Sequence, residues 1–210
     1  MLEYEINAPK GSSSAAQVIV LLHGRGSNRH DLFSLHRHLP DDWIVIAPEA
    51  PFPAAPWGYG PGSAWYQFLG RNRPEPQSFT RSLEALGEFL DELPRVIGGV
   101  PERVALGGFS QGGTMSLGFA LANPARVQRI LNFSGFLADH PHVSATAETV
   151  QGTRFFWAHG TADGNIPFDL AIEGRALLRA AGADLVERDY AIGHWIDPKE
   201  LSDAIEFLNS

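Results

Sequence analysis

Continuous apolar segments, separated by helix-length segments, limit the possible folds of this 210-residue chain more than any other sequence feature. Residues 18–22 (VIVLL) are apolar at every position, which is typical of a strand buried on both faces of a parallel sheet. Comparable segments predict further strands at residues 43–47, 104–106, 129–133, 154–158 and 184–190. Because helical patterns lie between these segments, the chain is expected to form an α/β fold with a mostly parallel central sheet and helices on both faces.

The clearest helical pattern follows a Pro-rich stretch. Apolar residues recur at steps of four and three in a segment that predicts a helix from Ser78 to near Pro94. A second helix is expected to have Pro167 as its first residue, and a third to begin after Asp197 as its N-cap. Residues 48–62 are rich in Pro, Gly and aromatic residues, and we interpret them as a structured surface loop rather than a linker.

Composition excludes several classes of function. The net charge is −8 and no Lys/Arg cluster occurs, so we expect neither nucleic acid nor an anionic membrane as a partner. The chain has no Cys, which excludes thiolate catalysis and cysteine-based metal sites. No apolar run reaches the ~20 residues of a membrane span, and residues 1–10 lack the pattern of a signal peptide. We therefore expect a single cytoplasmic domain over residues 1–210.

The hexapeptide at residues 108–113, GFSQGG, lies between a predicted strand and an apolar, helix-length segment. A Gly-x-Ser-x-Gly motif in that context is typical of a nucleophile elbow, in which Ser110 sits on a sharp, strained turn. Small residues are needed there because strand and helix approach closely, and a Cβ at Gly108 or Gly112 would collide. The motif predicts that Ser110 is a nucleophile.

A serine nucleophile needs a base, and the base needs a group that orients it. His194 is the best candidate base, because it follows a strand and precedes the last helix. Asp163 is the best candidate acid, because it directly follows the strand at residues 154–158, whereas Asp197 is better explained as a helix cap. The resulting chain order of Ser, Asp and His is the order found with this elbow type.

An oxyanion hole requires two backbone N–H groups near the nucleophile. One is expected from Gln111, the residue after the serine. The other is expected from Arg25, in the glycine-rich segment at residues 24–28 after an early strand. The alternative is that these glycines simply belong to the loop by which the chain leaves the strand.

The remaining histidines have less specific interpretations. His23 and His159 end strands, where an imidazole commonly bonds neighbouring backbone. His140 and His142 flank Pro141 and would form either a weak metal site or, more simply, part of a surface loop.

Taken together, these motifs resemble the phospholipase/carboxylesterase family of α/β hydrolases, which includes acyl-protein thioesterases. The resemblance runs from about residue 17 to the C-terminus, in stretches that include the histidine–glycine segment at 22–26, the elbow, and the motifs around Asp163 and His194. It implies an α/β-hydrolase fold and a serine esterase that uses Ser110, Asp163 and His194 without a cofactor or metal. Arg25, Ser27–Asn28 and Trp195 depart from the family pattern.

We therefore expect a serine carboxylesterase that hydrolyses short- to medium-chain esters through an acyl-serine intermediate. The alternatives are a thioesterase or deacylase for protein- or carrier-linked acyl groups, and a non-catalytic binding module on a hydrolase shell. Only 20 residues, 134–153, separate the fourth and fifth predicted strands, which is too short for a large cap domain. Aromatic residues expected to line the substrate pocket are Trp57, Tyr59, Trp65, Tyr66, Phe136 and Trp195.

Overall fold

The computed structural model describes residues 1–9 and 16–210. Residues 10–15, which include part of the N-terminal segment considered above, lie outside the described residues. The strands are β1 (Tyr4–Asn7), β2 (Gln17–Leu22), β3 (Trp43–Pro48), β4 (Phe52–Pro53), β5 (Ser63–Ala64), β6 (Arg103–Phe109), β7 (Arg129–Phe133), β8 (Arg154–Gly160) and β9 (Asp184–Tyr190). The helices are α1 (His30–Phe33), α2 (Pro76–Asp91), α3 (Leu93–Ile97), α4 (Gln111–Ala122), α5 (Phe168–Ala180) and α6 (Pro198–Asn209).

Seven strands form one sheet in the order β1-β3-β2-β6-β7-β8-β9, and β4 and β5 form a separate two-stranded ladder. All neighbouring pairs of the large sheet are parallel except β1 and β3. The carboxyl ends of β2, β6, β8 and β9 therefore meet at the same edge, which is where functional loops gather in such sheets. The predicted mostly parallel sheet is confirmed.

The two faces of the sheet pack against different helices. Within β2, Val18, Val20 and Leu22 join a core cluster that contains buried residues of α2, α4 and α5. Ile19 and Leu21 point the other way and pack in a second cluster with buried residues of α1 and α6. Since successive side chains of a strand alternate between faces, a strand segment covered on both sides is expected to be apolar at every position, as β2 is from Val18 to Leu22.

Several element boundaries differ from the sequence prediction. The helix predicted to start at Ser78 begins two residues earlier, because the carboxylate of Glu75 caps it by accepting bonds from the N–H groups of Gln77 and Ser78. It also ends before Pro94, which lies in the separate helix α3. Pro167, expected as a first helical residue, is instead the N-cap of α5.

The edge strand β1 was not predicted. Its sequence, YEIN, mixes polar and apolar residues and it is only partly buried, so it lacks the continuous apolar run of the central strands. The interpretation of residues 48–62 as a structured loop is confirmed, since they contain β4 and a 3₁₀ turn at Ala55–Trp57.

Residues 134–153 contain no helix and no strand of the sheet. Their one β-type pairing is an isolated bridge between His140 and Val143. The interval after β7 therefore carries no helical cap, as its length predicted. Among the described residues, no helix is long and apolar enough to cross a membrane.

Glu200 gives the fold a distinct pH dependence. It is 1% exposed and belongs to a capping box with Asp197 at the start of α6. Burial raises the pKa of Glu200 to about 7. Because the folded state then holds a proton that the unfolded chain has released, stability falls as pH rises from about 4.5 through 7.

Between pH 5 and pH 8, we expect the free energy of unfolding of the wild type to fall by about 2–3 kcal/mol relative to that of Glu200→Gln, because Gln cannot ionise. Urea unfolding at the two pH values measures this difference. Glu206→Gln, an exposed change on the same helix, is the control and should follow the wild type. If the free energy of unfolding of Glu200→Gln changed with pH by the same amount as that of the wild type, the expectation would be wrong.

Candidate active site

Ser110 stands between β6 and α4 in a conformation that non-glycine residues rarely adopt. Its φ is 55° and its ψ is −113°, and such a conformation costs on the order of 1–3 kcal/mol. The turn is held by bonds from the Ser110 N–H to the Phe133 carbonyl (2.8 Å) and from the Thr114 N–H to the Ser110 carbonyl (3.0 Å). These bonds tie the serine to β7 on one side and to the first turn of α4 on the other.

The glycines on either side of Ser110 are required by close backbone contact. A Cβ on Gly108 would lie 2.3 Å from the backbone carbon of Gly112. A Cβ on Gly112 would lie 1.9 Å from the carbonyl oxygen of Leu22, at the end of β2. The collision predicted at both positions is confirmed, and strand and helix can cross this closely only because both residues lack a side chain.

The structure brings Ser110, His194 and Asp163 into a continuous chain of hydrogen bonds. His194 Nε2 is 3.0 Å from Ser110 Oγ. His194 Nδ1 is 2.6 Å from Asp163 Oδ2. With the proton on Nδ1, the imidazole donates to the carboxylate and offers Nε2 as an acceptor for the serine hydroxyl.

Asp163 is held as a carboxylate by its surroundings. Its side chain is fully buried, and burial alone would raise its pKa. The bond from His194 and the backbone N–H groups of Ile166 (2.9 Å) and Asn165 (2.8 Å) outweigh burial, so the pKa of Asp163 is lowered. Since Oδ1 accepts both backbone bonds, Oδ2 is left to receive the histidine.

His159 lies directly beneath this turn. Its Nε2 donates to the carbonyl of Ile166 (2.9 Å) and is 3.7 Å from Asp163 Oδ2. Burial lowers the pKa of His159, which keeps the ring neutral. This confirms the expectation that His159 bonds neighbouring backbone, and the backbone it bonds is the turn that orients Asp163.

The segments that carry Asp163 and His194 are bonded directly to each other. The N–H of Thr161 donates to the carbonyl of Tyr190 (2.8 Å), and the N–H of Ala162 donates to that of Ile192 (3.0 Å). Gly160 permits this contact, because a Cβ there would lie 2.4 Å from the carbonyl oxygen of Gly193. The acid and the imidazole therefore sit on one connected unit at the ends of β8 and β9.

The glycine-rich segment after β2 is fixed beside Ser110 by His23. The ring of His23 bonds the Gly24 carbonyl through Nδ1 (2.8 Å) and accepts the Ala50 N–H at Nε2 (3.0 Å). Its own carbonyl accepts the indole N–H of Trp65 (3.0 Å). Burial lowers the pKa of His23, so this neutral ring serves structure, as predicted.

Gln111 has two different roles at the start of α4. As the first residue of the helix, it has a backbone N–H without an intrahelical acceptor. Its buried side chain accepts the Trp65 N–H (2.8 Å) and donates to the Tyr66 carbonyl (2.7 Å). Gln111 thereby anchors the loop after β5 to the elbow.

A cavity of about 350 Å³ opens beside Ser110, and its lining includes residues of the elbow, the glycine-rich segment and the Asp163 turn. Arg25 and Gln111 both border it, as an oxyanion hole would require. Arg25 is exposed, and its guanidinium lies 4.6 Å from the centre of the Tyr59 ring.

The predicted pocket aromatics are distributed over three locations. Tyr66 and Phe136 line the cavity. Trp57, Tyr59 and Trp65 lie outside its lining: Trp57 packs on Phe52 and Tyr59, and Trp65 is buried against His23. Trp195 borders a second groove on the other side of His194.

Sequence reasoning missed several residues of the cavity wall. They are Ser27, Asp31, Phe68, Phe109, Gly164, Asn165 and Ile166. Phe109 precedes the serine directly, and its ring lies 4.6 Å from that of His194, so its position in the elbow was a usable signal. Phe68 lies in an irregular loop whose side-chain directions no periodic pattern predicts.

The pair considered for a weak metal site does not approach a third ligand. The rings of His140 and His142 are 5.3 Å apart, and His140 also packs against Phe79. Within residues 1–9 and 16–210, no three His, Cys, Asp or Glu side chains are grouped so as to hold a metal ion.

A family model described as Phospholipase/Carboxylesterase matches residues 4–210. The chain belongs to the phospholipase/carboxylesterase family. This confirms the resemblance inferred from the motifs, and it makes the chain a member of a family of ester-hydrolysing enzymes.

Individual relatives match over most of their length. Acyl-protein thioesterase 1 of Eremothecium gossypii is 26% identical over 93% of this chain and 88% of its own. Esterase YpfH of Escherichia coli is 26% identical over 92% of this chain and 82% of its own. The crystal structure of esterase PE8 superposes with a TM-score of 0.82 at 27% identity, covering 99% of this chain and 98% of that one. The expected α/β-hydrolase fold is confirmed.

Two glycines with the same backbone conformation test how the glycine-rich segment is held. Gly26 (φ 76°) lies against Tyr59, and a Cβ there would be 2.0 Å from the Tyr59 carbonyl oxygen. Gly58 (φ 75°) has no atom within 4 Å of such a Cβ. We expect Gly26→Ala to displace the segment next to Ser110 and to lower kcat for an ester about 100-fold.

Gly58→Ala is the matched control, because it introduces the same backbone strain without the collision. It should keep kcat within about threefold of the wild type while both variants lose some thermal stability. Ester hydrolysis and thermal unfolding of the two variants measure this contrast. Equal activity of the two variants would show that the position of the segment does not matter.

Proposed function

We propose that this protein is a serine carboxylesterase whose nucleophile is Ser110. In the first step, Ser110 Oγ attacks the ester carbonyl carbon while His194 Nε2 takes the hydroxyl proton. Negative charge then develops on the carbonyl oxygen, where the backbone N–H groups of Arg25 and Gln111 stabilise it. The C–O bond to the alcohol breaks as His194 returns the proton to the departing oxygen, which leaves an acyl-Ser110 ester.

Water completes the cycle by the same route. His194 removes a proton from water, the resulting hydroxyl attacks the acyl carbon, and the proton is returned to Ser110 Oγ as the acid departs. Asp163 keeps the Nδ1 proton in place and stabilises the imidazolium that forms in both halves of the reaction.

One observation carries the proposal: the unbroken chain of bonds from Ser110 Oγ through the imidazole of His194 to Asp163, at 3.0 and 2.6 Å. Both distances are within the reach needed for proton transfer between nucleophile and base. A cavity of about 350 Å³ with Tyr66, Phe68, Phe136 and Ile166 in its wall suits a short to medium acyl or alcohol group. Membership of an ester-hydrolysing family supports the same conclusion.

We expect Ser110→Ala to fold normally and to lose about 10⁴- to 10⁶-fold in kcat, because the variant has no oxygen that can attack the carbonyl. Hydrolysis of p-nitrophenyl butyrate measures the loss. An organophosphonate probe should label the wild type at Ser110, as located by mass spectrometry, and leave the variant unlabelled. Retention of more than a few per cent of the activity in a pure preparation would exclude Ser110 as the nucleophile.

We expect Asp163→Asn to lower kcat about 10³- to 10⁴-fold, because the amide cannot hold the histidine in the required tautomer. Asp197→Asn is the control: Asp197 lies only three residues after His194, but it caps α6 by accepting the Lys199 N–H at 2.7 Å. Asn is an equally good cap, so this variant should retain activity. Kinetics with one ester decide between the two carboxylates, and the reverse pattern would disprove the assignment of the acid.

Thioester hydrolysis is the second candidate function. It is favoured by the names of relatives such as acyl-protein thioesterase 1 of Eremothecium gossypii, and a thioester needs the same nucleophile, base and oxyanion donors. Rates on butyrate esters and butyrate thioesters with matched leaving groups distinguish the two preferences. A non-catalytic binding module is a third possibility, which phosphonate labelling of Ser110 would eliminate.

A further inference from the structure

A second groove adjoins the imidazole of His194 and is separate from the cavity described above. Its volume is about 270 Å³. The lining is formed by Asp31, Leu32, Ser34, Leu35, Phe109, His194, Trp195 and Ile196. Three of these residues, Asp31, Phe109 and His194, also line the first cavity. His194, the group that transfers the proton, therefore belongs to the wall of both spaces.

Trp195 forms an exposed apolar wall of this groove. It is 55% exposed, although it directly follows His194, whose side chain is only 14% exposed. The ring packs closely against Gly193 on one side, since a Cβ on that residue would lie 2.5 Å from ring atom Cζ3. An aromatic ring that is packed on one side and open on the other offers an apolar surface to a ligand. Binding then costs little side-chain entropy of the protein, because the ring has few rotamers to lose.

The direction of proton transfer decides which part of an ester lies near this groove. In the first half of the reaction, His194 Nε2 must reach the oxygen of the departing alcohol, so the alcohol leaves on the histidine side of Ser110. The groove is lined by His194 together with Trp195, Leu35 and Ile196. The acyl group, which stays bonded to Ser110 after the alcohol has left, then occupies the first cavity.

We propose that the groove between Trp195 and Leu35 is the subsite for an apolar alcohol portion of the substrate, such as a benzyl or short alkyl group. The proposal rests on the esterase function proposed above. A cavity of roughly 150 Å³ already holds benzene, so the groove is large enough for one aromatic ring. Its lining by Leu32, Leu35, Trp195 and Ile196 favours an apolar alcohol, and the carboxylate of Asp31 disfavours an anionic one.

Two series of esters test the assignment. The first keeps the butyryl group constant and changes the alcohol from methyl to butyl to benzyl. The second keeps the methyl alcohol constant and lengthens the acyl group from acetyl to butyryl to octanoyl. The measured quantity is kcat/KM, because it reports the step in which the alcohol departs.

We expect Trp195→Ala to lower kcat/KM for benzyl butyrate about tenfold and for methyl butyrate by less than twofold. Its dependence on acyl length should follow that of the wild type. Phe68→Ala, which alters the wall of the first cavity, should do the opposite and change the acyl series alone. Leu177→Ala removes an equally exposed residue, 55%, of α5 outside both spaces, and should change neither series.

The outcomes distinguish a failure of the alcohol-subsite proposal from a failure of the proposed esterase function. If Ser110 is labelled and short esters are cleaved, but Trp195→Ala alters the acyl series or neither series, the groove is not the alcohol subsite and the esterase function stands. If the wild type cleaves no ester and Ser110 stays unlabelled, both proposals are wrong. Circular dichroism of each variant confirms that the fold is retained.

Discussion

The close crossing of β6 and α4 is the constraint on which the rest of the site depends. Gly112 lies so near the end of β2 that only a hydrogen atom fits between its Cα and the Leu22 carbonyl. This contact forces the chain to turn abruptly at Ser110 and to accept a φ of 55°. The strain is sustained because both flanking elements are buried and hydrogen bonded, so the serine cannot relax without unpacking the centre of the sheet.

Neighbouring groups extend this arrangement outward from the elbow. The side chain of Gln111 holds the backbone at residues 65 and 66, and the indole of Trp65 in turn holds the carbonyl of His23. Two buried neutral histidines act in parallel ways, since His23 fixes the glycine-rich segment and His159 fixes the turn that carries Asp163. These buried polar side chains thus use the hydrogen bonds that they form to orient backbone.

Much of this could be predicted from the sequence, for identifiable reasons. Central strands such as β2 can be predicted because burial on two faces favours a continuous run of apolar residues. The elbow can be recognised because its glycines are sterically required. The edge strand β1 escaped prediction because one-sided burial leaves a mixed sequence. The placement of Trp65 and Phe68 could not be predicted, because irregular loops have no period that tells which side chain faces the cavity.

Ser110 and the Asp163–His194 pair are attached to different parts of the sheet, and this bears on the rate of the proposed proton transfer. Ser110 is attached to β7 through the Phe133 carbonyl, whereas Asp163 and His194 belong to the unit built on β8 and β9. The gap between Ser110 Oγ and His194 Nε2 is therefore spanned by the pairing of β7 with β8. Adjacent strands in a ladder keep a spacing of about 4.8 Å, so the backbone hydrogen bonds of the sheet fix the distance over which the proposed proton transfer would take place.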